Sequence, residues 1–153
     1  MQRREVVIRR FRAEDRGSVA ALLERLSPES LHQRFHSAGV EVDARVLDSV
    51  TGGQALIAEL DGRLIGLASY TGANAELGIV VDDVCQGRGI GSALCRELLR
   101  DAERAGVRTV AASILRSNHT MLRMLQSLAW PLLHASGGPA VDVTIQLATG
   151  TRP

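Results

Sequence analysis

The stretch Ala75-Glu76-Leu77-Gly78-Ile79-Val80-Val81-Asp82-Asp83-Val84-Cys85-Gln86-Gly87-Arg88-Gly89-Ile90-Gly91-Ser92-Ala93-Leu94 gathers the residues whose types and spacing suit chemistry. A short apolar strand runs into a turn, and a glycine-rich segment then opens an amphipathic helix. The first turn of a helix leaves backbone N–H groups without partners, and the helix dipole makes that end partly positive. A diphosphate is the natural guest of such an end. Gly87, Gly89 and Gly91 carry no Cβ, so backbone can approach phosphate oxygens closely, and Arg88 offers a charge nearby. A P-loop would need a lysine followed by Ser or Thr after a longer gap, and neither is present. The dinucleotide fingerprint would need a glycine where Ser92 stands, and an acidic residue in the region 109–115, which has none.

Other side chains compete for a role. Asp82 and Asp83 form a candidate carboxylate pair, though solvated turn residues are the plainer reading. Cys85 beside the loop is read as a passive thiol and Cys95 as a small core residue, with no bridge between them. His119 is read as lining a cleft at most, and His32 and His36 as surface residues. No His/Cys/Asp spacing has the form of a metal site.

The elements that must position the loop follow from periodicity. Residues 6–10 are β-branched and read as a strand. Asp15 is a candidate cap for a helix to Leu26, with Val19, Leu22, Leu23 and Leu26 at helical spacing. Ser27-Pro28-Glu29 has the cap, proline and acid of a second helix start; that helix carries Leu31, Arg34 and Phe35. A third helical stretch runs over about 43–50. Three strands follow at 55–60, 64–70 and 76–81, the first two joined by an Asp61-Gly62 hairpin turn. Beyond the loop come a helix over 90–105 ended by Gly106, a strand over 109–115, a helix over 118–129, and a hairpin of strands at 130–135 and 141–147. The expected fold is mixed α/β (α+β): a largely antiparallel central sheet of about six to seven strands with helices on both faces.

Composition bounds the function. The 153 residues suit a single domain over 1–153, with a net charge of +1 that gives no global pull toward nucleic acid or membrane. No apolar run has membrane-spanning or signal-peptide length, so the reading is cytoplasmic. All 18 basic side chains are arginine.

Gln86-x-x-Gly89-x-Gly91, between an apolar strand and a helix, resembles the pyrophosphate motif of the GNAT acetyltransferase superfamily. Asn118, opening a helix after the next strand, looks like that superfamily's second cofactor segment, and the element order matches over nearly the whole chain. More narrowly, Ser27-Pro28-Glu29-Ser30-Leu31 with Arg34-Phe35, then Ala75-Glu76 and the loop through Ser92, is similar to the catalytic domain of bacterial Pat-type protein lysine acetyltransferases. The resemblance implies acetyl-CoA as co-substrate and no metal. Ile79, Val80 and Val81 would lie along the pantetheine arm, with Gln86, Gly87, Arg88, Gly89, Ile90, Gly91, Ser92 and Asn118 completing the cofactor site.

The resemblance places the catalytic glutamate at Glu76, where partial burial would bring its pKa toward neutrality. A base is useful because only about one lysine amine in 2,500 is neutral at pH 7. The tyrosine that protonates the leaving sulfur in many relatives has Leu125 at its position. Arg34 and Phe35 fall where the family shapes its acceptor cleft, although core packing explains Phe35 equally well. The implied partner is an amine acceptor, first a protein lysine such as one on a metabolic enzyme. A small amine, or acyl-CoA sensing without catalysis, is the alternative. Nucleic acid and membrane are not expected partners, and the chain would act as a monomer or homodimer.

Overall fold

The computed structural model describes residues 5–37, 39–72 and 75–147. Strand β1 (Val6–Arg10) is followed by helices α1 (Arg16–Glu24), α2 (Pro28–Phe35) and α3 (Ala44–Thr51). The meander β2 (Gln54–Leu60), β3 (Arg63–Thr71) and β4 (Glu76–Val81) comes next. The chain closes with α4 (Ile90–Arg104), β5 (Thr109–Leu115), α5 (His119–Ser127), β6 (Leu132–Gly137) and β7 (Ala140–Gln146). Among the described residues the seven strands lie in the order β1-β2-β3-β4-β5-β7-β6, and only the β4–β5 pair is parallel. The expected mixed, mostly antiparallel sheet with helices on both faces is therefore what the chain forms.

Side-chain alternation builds two cores from one sheet. Leu56, Ala58 and Leu77 face α4 and α5, where Leu94, Leu98, Leu99 and Leu125 are buried. Ile57, Leu67 and Val80 face the opposite way, against Val19, Leu22 and Leu23 of α1 and Val50 of α3. Each fully buried leucine stabilises the chain by roughly 1.5–3 kcal/mol relative to exposure. Among the described residues, no helix is long and apolar enough to cross a membrane.

Local chemistry sets the ends of the elements. Ser27 Oγ accepts the Ser30 N–H at 3.1 Å and caps α2, with Pro28 at the first helical position. Asp43 caps α3 in the same way, accepting the Val46 N–H at 3.0 Å. Asp61 and Gly62 take φ of 52° and 76°, the left-handed values a two-residue hairpin needs.

Asp15 departs from the expectation. A short 3-10 turn, Ala13–Asp15, precedes α1, and the Asp15 side chain does not cap the helix. It is buried, and it accepts from Arg9 Nη1 and Nη2 at 2.8 Å each and from the Arg12 N–H at 2.7 Å. The Arg9 guanidinium holds its carboxyl down to about 2, with burial opposing and the Arg12 amide assisting. A bidentate charged partner six residues upstream outcompetes a cap that one neutral N–H would supply.

Candidate active site

The parallel β4–β5 junction opens a cleft. Strands β4 and β5 pair at Glu76 and Ala111, where the Ala111 N–H donates to the Ala75 carbonyl at 3.0 Å, and no further pairing follows along β4. Beyond that point the strands part. The gap has two connected lobes that share Ser30, Gln33, Ile79, Val81, Gln86, Asn118 and Met121.

The larger lobe, about 530 Å³, sits at the mouth of α4. Gly89 occupies the cap position with φ 78° and ψ 9°, and no side chain caps the helix. The outward amides of the first turn are thus left to a guest. Gly87 also has a positive φ, 78°, and a Cβ on either glycine would meet nothing within 4 Å. Ile79, Val81, Gln86, Gly87, Gly89, Ile90, Gly91, Ser92 and Asn118 line this lobe. Arg88 is exposed and lines neither lobe, while Val80 is buried in the α1 core and touches the smaller lobe only. The Gln86 side-chain amide donates to the Val81 carbonyl at 3.0 Å and to Ser30 Oγ at 3.3 Å. Asn118 Oδ1 accepts the Met121 N–H at 3.2 Å and so caps α5 at the cleft wall.

The smaller lobe, about 290 Å³, holds Glu76 with Gln33, Arg34, Phe35 and His36 from the end of α2 and Ser113 from β5. Glu76 is exposed, so the partial burial expected of it is absent. Phe35 lines this lobe and also packs against the α1–α3 core. His36, read as a surface residue, is half-buried in the lobe wall at φ 58°. Gln33 and Ser113 were not singled out by sequence. Helical register from Ser27 would have placed Gln33 beside Arg34, but nothing local marks Ser113. His119 lines neither lobe, and Leu125 is buried, 1% exposed.

Of the two turn carboxylates, Asp82 is buried and Asp83 exposed. Asp82 is 3% exposed; its Oδ2 accepts from Arg25 Nε at 2.6 Å and lies 3.7 Å from Arg63 Nη2. Asp83 is exposed yet engaged, accepting from the Ser27 N–H at 3.1 Å and Ser30 Oγ at 3.2 Å. Cys85 and Cys95 are free and buried, and burial pushes the Cys95 thiol up to about 12. Among the described residues, no group of three or more His, Cys, Asp or Glu is placed to hold a metal ion.

A strand splayed from its parallel neighbour feeds an uncapped, glycine-lined helix mouth, an arrangement suited to a diphosphate-bearing ligand. The sequence profile of the Acetyltransferase (GNAT) family matches residues 19–130, and the chain belongs to that family. The family is one of acetyltransferases, and that is the class to which the chain is assigned. Its fold is similar to the GNAT domain of S. lividans PAT, with a TM-score of 0.80 at 23% identity over 92% of this chain and 89% of that one. It is similar also to YncA from Salmonella typhimurium, solved with its cofactor acetyl-CoA: TM-score 0.71, 22% identity, 97% of this chain and 98% of the other. A curated relative, YwnH of Bacillus subtilis, bears the name of a phosphinothricin acetyltransferase. It is 38% identical over 52 residues, which span 34% of this chain and 32% of the relative.

Proposed function

We propose that this acetyltransferase moves the acetyl group of acetyl-CoA directly onto a primary amine, with Glu76 taking the amine's proton. The observation that carries the reading is the continuity of the cleft. One opening joins the uncapped mouth of α4 to the carboxylate of Glu76 along the free edge of β4. Backbone amides of Ile90, Gly91 and Ser92, with the turn at Gln86, Gly87 and Gly89, would hold the diphosphate. Ile79 and Val81 line both lobes and would flank the pantetheine arm, with Val80 behind them and Asn118 on the opposite wall. A β4 amide there is suited to polarise the thioester oxygen. Acetyl-CoA supplies the activated acetyl group and a leaving thiolate. Arg88, outside both lobes, would add charge at the rim only.

The acceptor has two readings. A small acceptor is favoured by the modest volume of the lobe, about 290 Å³. A protein lysine, as in the Pat-type likeness, is favoured by the exposure of Glu76 at the rim. The lobe holds one acid, Glu76, beside Arg34, which disfavours polycationic amines.

The test is thiol release from acetyl-CoA with free amines and lysine peptides as acceptors. Glu76→Gln should cut kcat/KM at pH 7 by about 100-fold, the scale of general-base help, while acetyl-CoA still binds. Parental activity in that variant would remove Glu76 from the role.

A further inference from the structure

Arg34 is the arginine lining the cleft, and acetyl transfer as described leaves it unused. It lies in the last turn of α2, and its guanidinium rests over the β4 backbone. A Cβ on Gly78 would fall 2.3 Å from Nη2, 2.4 Å from Cζ and 2.6 Å from Nε. The missing side chain of Gly78 is what makes room for the guanidinium. Gly78 and Glu76 are two apart on one strand and therefore face the same side of the sheet. Cation and carboxylate open into one space. Arg34 Cζ also stands 5.0 Å from the centroid of the Phe35 ring, a contact that orients the fork without neutralising it.

Nothing else in the described chain satisfies this charge. Glu76 acts on it through space, but no hydrogen bond or ion pair joins Arg34 to another described residue. Burial pushes its pKa below the ordinary arginine value, with Glu76 pulling the other way. A half-buried cation without a hydrogen-bonded anion is poorly compensated, so its natural complement is an anion brought by a ligand. The planar fork of guanidinium matches a carboxylate with two parallel N–H donors. The same charge repels a second ammonium group.

We propose that Arg34 anchors a carboxylate of the acceptor, and that the acceptor is a small amino acid whose amine then faces Glu76. This rests on the acetyl-transfer reading above and narrows it. Fixing the carboxylate at Gly78 leaves the amine of the same molecule directed along β4 toward the base. The cation beside the amine also favours its neutral, attacking form.

The experiment compares the standard free L-amino acids with their α-carboxamides and with an unstructured lysine peptide, following thiol release from acetyl-CoA. For at least one pair, the acid should exceed its amide in kcat/KM by about 30-fold, the scale of leaving a partly buried charge unpaired. Arg34→Gln should bring that ratio toward one, mostly through KM, with the acetyl-CoA Kd unchanged; Arg34→Lys should recover part of it. Gly78→Ala is the second variant. Its Cβ displaces the guanidinium without removing the charge, and it should erode the same ratio. Equal rates for acids and amides, a ratio that survives in Arg34→Gln, or a lysine peptide that outperforms every free acid would overturn the anchor and leave acetyl transfer standing. Loss of acetyl-CoA affinity in Arg34→Gln would assign the cation to the carrier and overturn it too. Absence of thiol release with every acceptor would sink the transfer reading itself, and the anchor with it.

Discussion

The two lobes of the cleft are made by different means. The mouth at α4 is backbone: uncapped amides and left-handed glycines within residues 86–92, contiguous in the chain. The smaller lobe is side chains: Arg34 from α2, His36 directly after it, Glu76 from β4, Ser113 from β5. Amides read only charge and fit, which suits a tail common to every acyl carrier. Side chains add shape and sign, which suits an acceptor that must be distinguished from others.

The sharpest way to break this contrast is Gly89→Glu. With φ at 78° any L-residue is strained there, by roughly 1–2 kcal/mol, and a Cβ meets nothing within 4 Å, so the new side chain projects into open space at the mouth. Gly89→Ala carries the strain alone and is the control. The glutamate should weaken acetyl-CoA binding on the order of 1000-fold beyond the alanine, as like charge meets the diphosphate. Calorimetric titration decides it; equal affinity in the two variants would mean that the mouth does not hold the tail.

Next in size is Asp82→Ala, which attacks the joint between the lobes. Asp82 follows β4 directly, receives the Val84 N–H at 3.4 Å, and binds Arg25, whose Nη2 reaches the Leu64 carbonyl at 2.6 Å. Removing a buried carboxylate strands its guanidinium, at a cost of about 3 kcal/mol. Arg25 is partly exposed, so this is an upper figure. A urea midpoint should fall accordingly, and acetyl-CoA affinity and acceptor KM should worsen together. An unchanged midpoint would deny Asp82 the tethering role.

Sequence exposed one lobe far better than the other for the same physical reason. Gly87, Gly89 and Gly91 state their backbone need within the loop, and the strand before and helix after it are periodic, so the mouth could be read without any distant contact. Ser27 and Asp43 were legible as caps because a cap acts three residues away. Asp82 was not legible, because its partner Arg25 lies 57 positions upstream, and a carboxylate beside a turn looks solvated until that arginine arrives. Arg34 was placed on the cleft only through family likeness; its seat over Gly78 needs α2 folded onto β4, which no local pattern encodes. The burial wrongly expected for Glu76 is the same failure in reverse, since a strand end gives no count of what covers it.

The smallest effect sharpens the contrast most finely, because it concerns the rod that joins the lobes. Helix α2 carries Arg34 near its end, while at its start Ser27 and Ser30 donate to Asp83 on the turn before the mouth. Burial works against the Asp83 charge, but these hydrogen bonds win and hold its carboxyl below the usual range. A folded-state pKa below the unfolded value means that the tie contributes stability above the ordinary carboxylate value. That contribution is lost as pH falls through the lower folded value. The parent should therefore exceed Asp83→Asn in stability at pH 7, by less than about 1 kcal/mol because the group is exposed and screened. The gap should close as pH drops below about 4. Melting curves of both proteins across that range check it. A gap that stays constant with pH would show that the Asp83 charge has no part in holding α2 to the mouth, leaving the two lobes joined through Asp82 and the sheet alone.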